Sequence, residues 1–205
     1  MMSDMVMPRF LKVATLRGGE RVVIRPFEPN DKEKLLDFFR RLPAEERASM
    51  REDVTDPAVI DKWIRNIDPG RGVSIIAEVE DRVVGDGTLY KWPHGWHRHI
   101  CEIRLVVDGA HRKQGLGTII LTELFSLALQ FDLDKIVAAV MKEQTVEIAM
   151  LERMGFRKEA EFKDHIMDLA GRKHDMVILT HYVAVLWEHL HDSEDFQVRL
   201  NQMED

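Results

Sequence analysis

Apolar residues along the chain switch between a helical and an alternating period, and the switches mark the elements. Arg17-Gly18-Gly19-Glu20 reads as a hairpin turn between two short strands, the second running over 21–25 and ending at Pro26. Asn30 or Asp31 then stands where a helix cap belongs, followed at helical spacing by Leu35, Leu36, Phe38, Phe39 and Leu42 and stopped by Pro43. A second helix is expected from Asp56-Pro57, a cap followed by a first-turn proline. It carries Val59, Ile60, Trp63, Ile64 and Ile67 and ends at Asp68-Pro69-Gly70. Three strand-like runs come next, over 73–79, 83–90 and 100–107, the first two joined by a tight turn at Asp81-Arg82. Beyond a glycine-containing loop the pattern predicts an apolar helix at about 116–130, a strand over 135–141 and a helix over 145–154. Two closing strands, about 156–167 and 173–182, are joined by a turn containing Gly171. Strands and helices therefore come in mixed order, which is α+β and not a regular alternation.

Residues 1–14 read as a lead-in, 15–182 as one domain and 183–205 as a helical tail. In the tail, Tyr182, Val185, Leu186, His189, Leu190, Phe196 and Leu200 fall roughly on one helical stripe. Docking onto the domain's own core and a contact in a homodimer are both open readings of it.

Composition narrows the function classes. With 205 residues, 45% hydrophobic and 32% charged, the chain can bury a core without disulfides or a structural metal. Its one cysteine, Cys101, excludes an internal disulfide and a cysteine-only metal cluster. A formal charge of −7 argues against a nucleic-acid partner and suits a cationic or amine partner better. No apolar run approaches the ~18 residues that span a bilayer, and the first residues have no basic region followed by a long apolar stretch, so a cytoplasmic protein without a membrane partner is expected.

The chemistry gathers at Arg112-Lys113-Gln114-Gly115-Leu116-Gly117, between a strand and a helix. A helix N-terminus presents unpaired N–H groups and partial positive charge, glycines let the backbone approach an anion, and Arg112, Lys113 and the Thr118 hydroxyl add to the cradle. The segment lacks the full phosphate-loop pattern and the three-glycine spacing of a dinucleotide fingerprint.

This loop resembles the Gln/Arg-x-x-Gly-x-Gly/Ala pyrophosphate loop of the GNAT superfamily of N-acetyltransferases. Two flanking motifs agree in register. Glu102-Ile103-Arg104-Leu105-Val106-Val107-Asp108 is similar to the family's fourth strand, and the segment from Gln144 to Gly155-Phe156 to its late helix. The opening, Thr15-Leu16-Arg17 through Phe38-Phe39-Arg40-Arg41-Leu42, further resembles the GNAT domains of bacterial protein lysine acetyltransferases. The resemblance implies a GNAT fold: a central mixed, mostly antiparallel twisted sheet of about seven strands flanked by about four helices. It also implies acetyl transfer from acetyl-CoA to a primary amine, either a protein lysine or a small molecule, by direct attack in a ternary complex.

The same resemblance assigns roles. The amides of Lys113, Gln114, Gly115, Leu116, Gly117 and Thr118 would hold the pyrophosphate, with Arg112 nearby. Backbone groups of Val106 and Val107 would pair with the pantetheine arm, and one N–H would polarise the thioester carbonyl. Glu102 matches the fourth-strand glutamate that serves as base; a solvated glutamate or one paired with Arg104 is the plainer reading. Two positions depart from the family: Leu151 stands where many members carry a proton-donating tyrosine, and Gln144 where many carry asparagine. Gln144 can still bond the CoA arm, and a thiol of pKa ~8.5 leaves without strong acid help. The Leu151 departure keeps open a catalytically weak acetyl-CoA-binding sensor or interaction module, and a different acyl donor such as succinyl-CoA is a third option.

Other candidates carry less. His94, His97 and His99 with His111 do not have the spacing of a metal site, and no metal is expected. Trp92 and Trp96 are expected to shape the acceptor mouth or to pack. The acidic stretch Glu45, Glu46, Glu52, Asp53 and Asp56 is expected to attract an amine or to be a solvated connector. Asp86, between Gly85 and Gly87, reads as a second cleft acid or a bulge, and Cys101 as a core thiol.

Overall fold

The structure, a computed structural model, describes residues 10–48, 50–65, 68 and 70–183. Eight strands form one sheet: β1 (Lys12–Thr15), β2 (Arg21–Pro26), β3 (Gly72–Val79), β4 (Arg82–Lys91), β5 (Ile100–Val107), β6 (Lys135–Met141), β7 (Arg157–Met167) and β8 (Lys173–Tyr182). Their order is β1-β2-β3-β4-β5-β6-β8-β7, and every neighbouring pair is antiparallel except β5 and β6. The helices are α1 (Lys32–Arg41), α2 (Ala44–Ala48), α3 (Pro57–Arg65), α4 (Leu116–Gln130) and α5 (Thr145–Arg153). The architecture is the expected α+β sheet, with eight strands where about seven were expected and a short α2 that apolar periodicity could not reveal. The tail beyond Val183, with its stripe from Val185 to Leu200, and Ile67 lie outside the described residues.

Local chemistry explains the small differences from expectation. Glu80 and Asp81, with φ of 47° and 67°, form the turn between β3 and β4, one residue earlier than expected, because Arg82 already pairs with Val79. Asp56 caps α3 as expected, accepting the Ala58 N–H at 2.8 Å. Asp31 does not cap α1 with its side chain. Its buried carboxylate takes both Nη atoms of Arg25 at 2.7 and 2.6 Å and the Glu28 N–H at 2.8 Å. A bidentate, charge-assisted pair outcompetes a capping bond.

Side-chain alternation splits the core into two layers. On one face α4 and α5 pack with Val22, Ile24, Ile75, Ala77, Leu89, Cys101, Ile103, Ile136 and Leu179. On the other, α1 and α3 pack with Ile76, Val83 and Val106. Gly85 and Gly87 make room for α4. A Cβ on Gly85 would lie 2.7 Å from Ile120 Cδ1, and one on Gly87 would lie 2.5 Å from Ile120 Cγ2.

The pairing of β5 with β6 positions the site. It covers only Ile100 with Lys135, Cys101 with Ile136 and Glu102 with Val137. Beyond that, β5 pairs with β4 alone and β6 with β8 alone, so the two strands part and face each other as open edges.

Gly87→Ala should therefore cost about 1–3 kcal/mol through overlap with Ile120, a fall in Tm of about 2–4 °C per kcal/mol in a chain of this size. In thermal unfolding followed by circular dichroism, Gly87→Ala combined with Ile120→Ala should lose less than the sum of the two single variants; strict additivity would show that the contact is not limiting.

Candidate functional site

The glycine loop closes the open end of the strand gap. β5 runs through a 3-10 turn at Gly109–His111 into the loop and then into α4. Lys113 and Gly115 both have positive φ, 60° and 94°, which turns the chain sharply so that the first amides of α4 point out of the helix. Ile119 donates to the Gly115 carbonyl, so Leu116, Gly117 and Thr118 have no acceptor within the helix. A Cβ on Gly115 would meet nothing within 4 Å, whereas one on Gly117 would lie 3.1 Å from Met150 Sδ and within 4 Å of Leu105 and Val107. Gly115 thus leaves open space in front of the amides, and Gly117 lets α4 lie against the free half of β5 and against α5.

The loop's side chains are largely engaged with the protein itself. The Gln114 side-chain amide donates to the Ala110 carbonyl at 3.0 Å, and the Gln114 main-chain carbonyl accepts from Arg17 N at 3.1 Å, tying the loop to the β1–β2 hairpin. Arg112 is ion-paired with Glu46 and donates to the Val107 carbonyl at 3.2 Å. Gln144 precedes α5 and accepts the Met141 N–H at 2.9 Å, at the open end of β6. Val106 and Val107 lie on the half of β5 that β6 does not pair; the bond from Asp108 N–H to the Val84 carbonyl sets the main chain of Val106 towards β4 and that of Val107 towards the gap, while their side chains go to opposite core layers.

Glu102 is the last β5 residue paired with β6, at the fork of the two strands. Its partner is Arg51, from the connection between α2 and α3, and not Arg104. Glu102 is 15% exposed and Arg51 65% exposed. Beside them lies a cavity of about 260 Å³ lined by Arg51, Glu52, Val54, Trp63, Tyr90 and Arg104. Tyr90 sits directly across from Glu102 in the β4–β5 ladder, and Thr88 across from Arg104. Glu52 is held by Lys62 at 2.6 Å and by Trp63 Nε1 at 2.9 Å, which keep its carboxyl below the ordinary range.

Arg104 is embedded in the cavity wall. Its guanidinium carbon is 4.8 Å from the Trp63 ring centre and 5.7 Å from that of Phe39. One Nη meets Asp86 at 2.5 Å, and Nε is buried with no acceptor among the described residues. Asp86 is 1% exposed, and its burial pushes its carboxyl up against the opposing pull of Arg104. It is therefore a buried partner of Arg104 and not an open cleft acid, and the irregularity in β3–β4 falls at Ala77/Glu78 instead.

The remaining sequence candidates separate clearly. Cys101 is fully buried and its thiol is pushed up to about 12 by burial, a core residue as expected. Leu151 is buried with Phe125 and Phe156. Asp53 and Asp56 serve turns, bonding Thr55 and Ala58. Trp96 is 90% exposed, and neither it nor Trp92 lines the cavity. Among the described residues no three His, Cys, Asp or Glu side chains converge as metal ligands, and no helix is long and apolar enough to cross a membrane. A larger cavity, about 440 Å³, lies at the far end of α4 by Asp132, Asp134 and Tyr182, away from the fork.

Sequence reasoning missed Arg51, Val54 and Tyr90, and placed Trp63 only in the core. Tyr90 was recoverable: once β4 and β5 are set as an antiparallel pair, Asp86, Thr88 and Tyr90 face Val106, Arg104 and Glu102. Arg51 lies in an irregular connection and carried no periodic signal.

The acetyltransferase (GNAT) family model matches residues 35–156, more than half of the chain. No curated protein matches the sequence. Among solved structures, the GNAT domain of S. lividans PAT is similar at 17% identity, with a TM-score of 0.72 over 84% of this chain and 96% of that one. The ribosomal-protein-alanine N-acetyltransferase from Brucella melitensis is 21% identical, with a TM-score of 0.67 over 78% and 98%. The yncA protein from Salmonella typhimurium, solved with its cofactor acetyl-CoA, is 19% identical, with a TM-score of 0.67 over 79% and 94%. At these identities the likeness is one of fold.

Arg104→Met keeps the bulk but strips Asp86 of its cation, and breaking such a pair costs up to about 3–5 kcal/mol. Burial raises the Asp86 carboxyl and Arg104 opposes the rise, so the variant's folded state keeps its Asp86 proton to higher pH than the wild type's does, while both unfolded chains release it above about pH 4. Stability is then greatest below that pH and declines as pH rises. The Tm deficit of Arg104→Met should thus be larger at pH 8 than at pH 5, and equal deficits would show that Asp86 does not carry the cost.

Proposed function

The chain belongs to the acetyltransferase (GNAT) family, and on that premise we propose that it transfers an acetyl group from acetyl-CoA to a primary amine by direct attack, with Glu102 as the base. Membership makes it an acyltransferase with acetyl-CoA as cosubstrate. One observation carries the assignment of roles: the parting of β5 and β6 immediately after Glu102, with the amides of the glycine loop at the open end of the gap.

These residues fit the cosubstrate. The amides of Lys113 to Thr118 suit a pyrophosphate, with open space before Gly115. The main chain of Val107, on the edge of β5 that faces the gap, offers an N–H to an extended arm or to the thioester carbonyl, and Val106 backs it from the β4 side. Bound acetyl-CoA supplies an activated acetyl thioester. Gln144, at the mouth of β6, is the counterpart on the opposite edge.

Glu102 meets the energetic need for a base. Freeing a lysine-type amine of pKa ~10.4 at pH 7 costs about 4–5 kcal/mol. Glu102 takes that proton, the nitrogen bonds to the acetyl carbon as the C–S bond breaks, and the second proton that the nitrogen then sheds passes through water to the departing thiolate. The burial of the one cysteine, the natural acyl carrier, supports direct transfer. Two acceptor classes agree with this chemistry: a protein lysine, as the opening residues suggest, and a small-molecule amine, which the size of the cavity beside Glu102 favours.

The buried Leu151 supports a second reading, an acetyl-CoA-binding module with little turnover, since no tyrosine protonates the thiolate. Amine-dependent release of CoA thiol decides between them, its absence alongside tight acetyl-CoA binding favouring the module.

Glu102→Gln should lower kcat at least about 100-fold, within the usual range for a general base, while acetyl-CoA affinity measured by calorimetry stays within about twofold; near-normal turnover would remove Glu102 from the mechanism. Initial rates against both substrates should give intersecting lines, and parallel lines would overturn direct transfer.

A further inference from the structure

The cavity beside Glu102 is walled by two guanidinium groups and two aromatic rings, an odd lining for a simple cationic amine. Its carboxylates are already engaged. Glu52 is held by Lys62 and the Trp63 indole, Asp86 lies beneath Arg104, and Glu102 itself is held by Arg51. A polyamine entering here would bring more positive charge towards Arg51 and Arg104. A molecule carrying an acidic group as well as an amine would meet the opposite situation.

Arg51 is placed to receive that acidic group. It is mostly exposed and comes from an irregular connection, so its end of the two-bond pair with the mostly buried Glu102 stays open to solvent and to a competing carboxylate. Its planar fork matches a carboxylate in bidentate fashion. While Arg51 stays on Glu102, its guanidinium occupies both carboxylate oxygens that an incoming amine would need. Arg104 is anchored by Asp86 and the Trp63 ring and cannot follow. It remains as a fixed positive charge in the wall. The cavity, at about 260 Å³, suits a molecule of amino-acid size.

We propose that the acceptor is a small amine bearing a neighbouring carboxylate, of the free amino acid class, and that Arg51 binds this carboxylate and in doing so releases Glu102 to act as base. The inference rests on the transfer reading above and names its substrate class. A protein lysine or a polyamine offers no acid group next to its amine, so either would leave Arg51 on Glu102.

The test is a CoA-release panel of the twenty L-amino acids, their amides for Phe, Met and Leu, spermidine and a lysine-containing peptide, run with wild type and Arg51→Gln. At least one amino acid should exceed its amide in kcat/KM by about tenfold or more, the scale of one charge-assisted contact, although the amide has more free amine at neutral pH. Arg51→Gln should erase that ratio, Arg51→Lys should restore part of it, and both variants should bind acetyl-CoA as wild type does. A readout independent of turnover is calorimetry with CoA present: the acetylated amino acid should bind more tightly than its acetylated amide in wild type and equally in Arg51→Gln. An amide equal to its acid, a ratio that survives in Arg51→Gln, or a peptide or spermidine outpacing every amino acid would overturn this inference and leave the transfer reading standing. No CoA release with any amine would overturn both.

Discussion

Parallel strands that begin as neighbours and then separate leave main-chain hydrogen-bonding groups facing a gap, and such groups must find partners or water. In this protein the separation starts one residue past the Glu102–Val137 pair. Each strand is nevertheless held firmly on its other side, β5 by the length of β4 and β6 by β8. The gap is therefore rigid: its walls belong to two antiparallel ladders that have no reason to close. Everything attributed to the site hangs from this arrangement. The amides of the glycine loop stand at its open end, Glu102 at its apex, and α4 along one face.

The helix can lie there because of small residues on two elements. Gly85 and Gly87 accept Ile120, and Gly117 accepts Met150. On the opposite face the same stretch of β4 turns Asp86 inward to Arg104. One strand thus does two jobs by alternation, presenting bare backbone to α4 on one face and a buried partner for Arg104 on the other. The charge stiffens the wall: Arg104 is clamped between a carboxylate and two aromatic rings, whereas Arg51, which lines the same cavity but is drawn from a connection, is mostly exposed.

Most of the fold was legible from periodicity. Strand 135–141, strand 173–182 and helix 116–130 occur as the apolar pattern implies, because each has one face committed to the core. The loop was legible too, since its glycines answer to backbone geometry that sequence records directly. What escaped was set by contacts distant along the chain. The pairing of Glu102 with Arg51 rather than Arg104 depends on where a non-repetitive connection comes to rest. Asp31 looks like a helix cap until Arg25 arrives from the neighbouring strand. Five-residue α2 has too few positions for an amphipathic period to appear.

The single cysteine has a consequence for how the protein meets its surroundings. Cys101 lies on the core-facing side of β5, next to the residue proposed as base, with its sulfur sealed from solvent and its thiol held in the protonated form far above neutral pH. Peroxide, glutathione disulfide and other agents that act on thiolates meet no thiolate on the folded chain. An acetyltransferase built this way does not sense the redox state of its compartment through its own sulfhydryl chemistry.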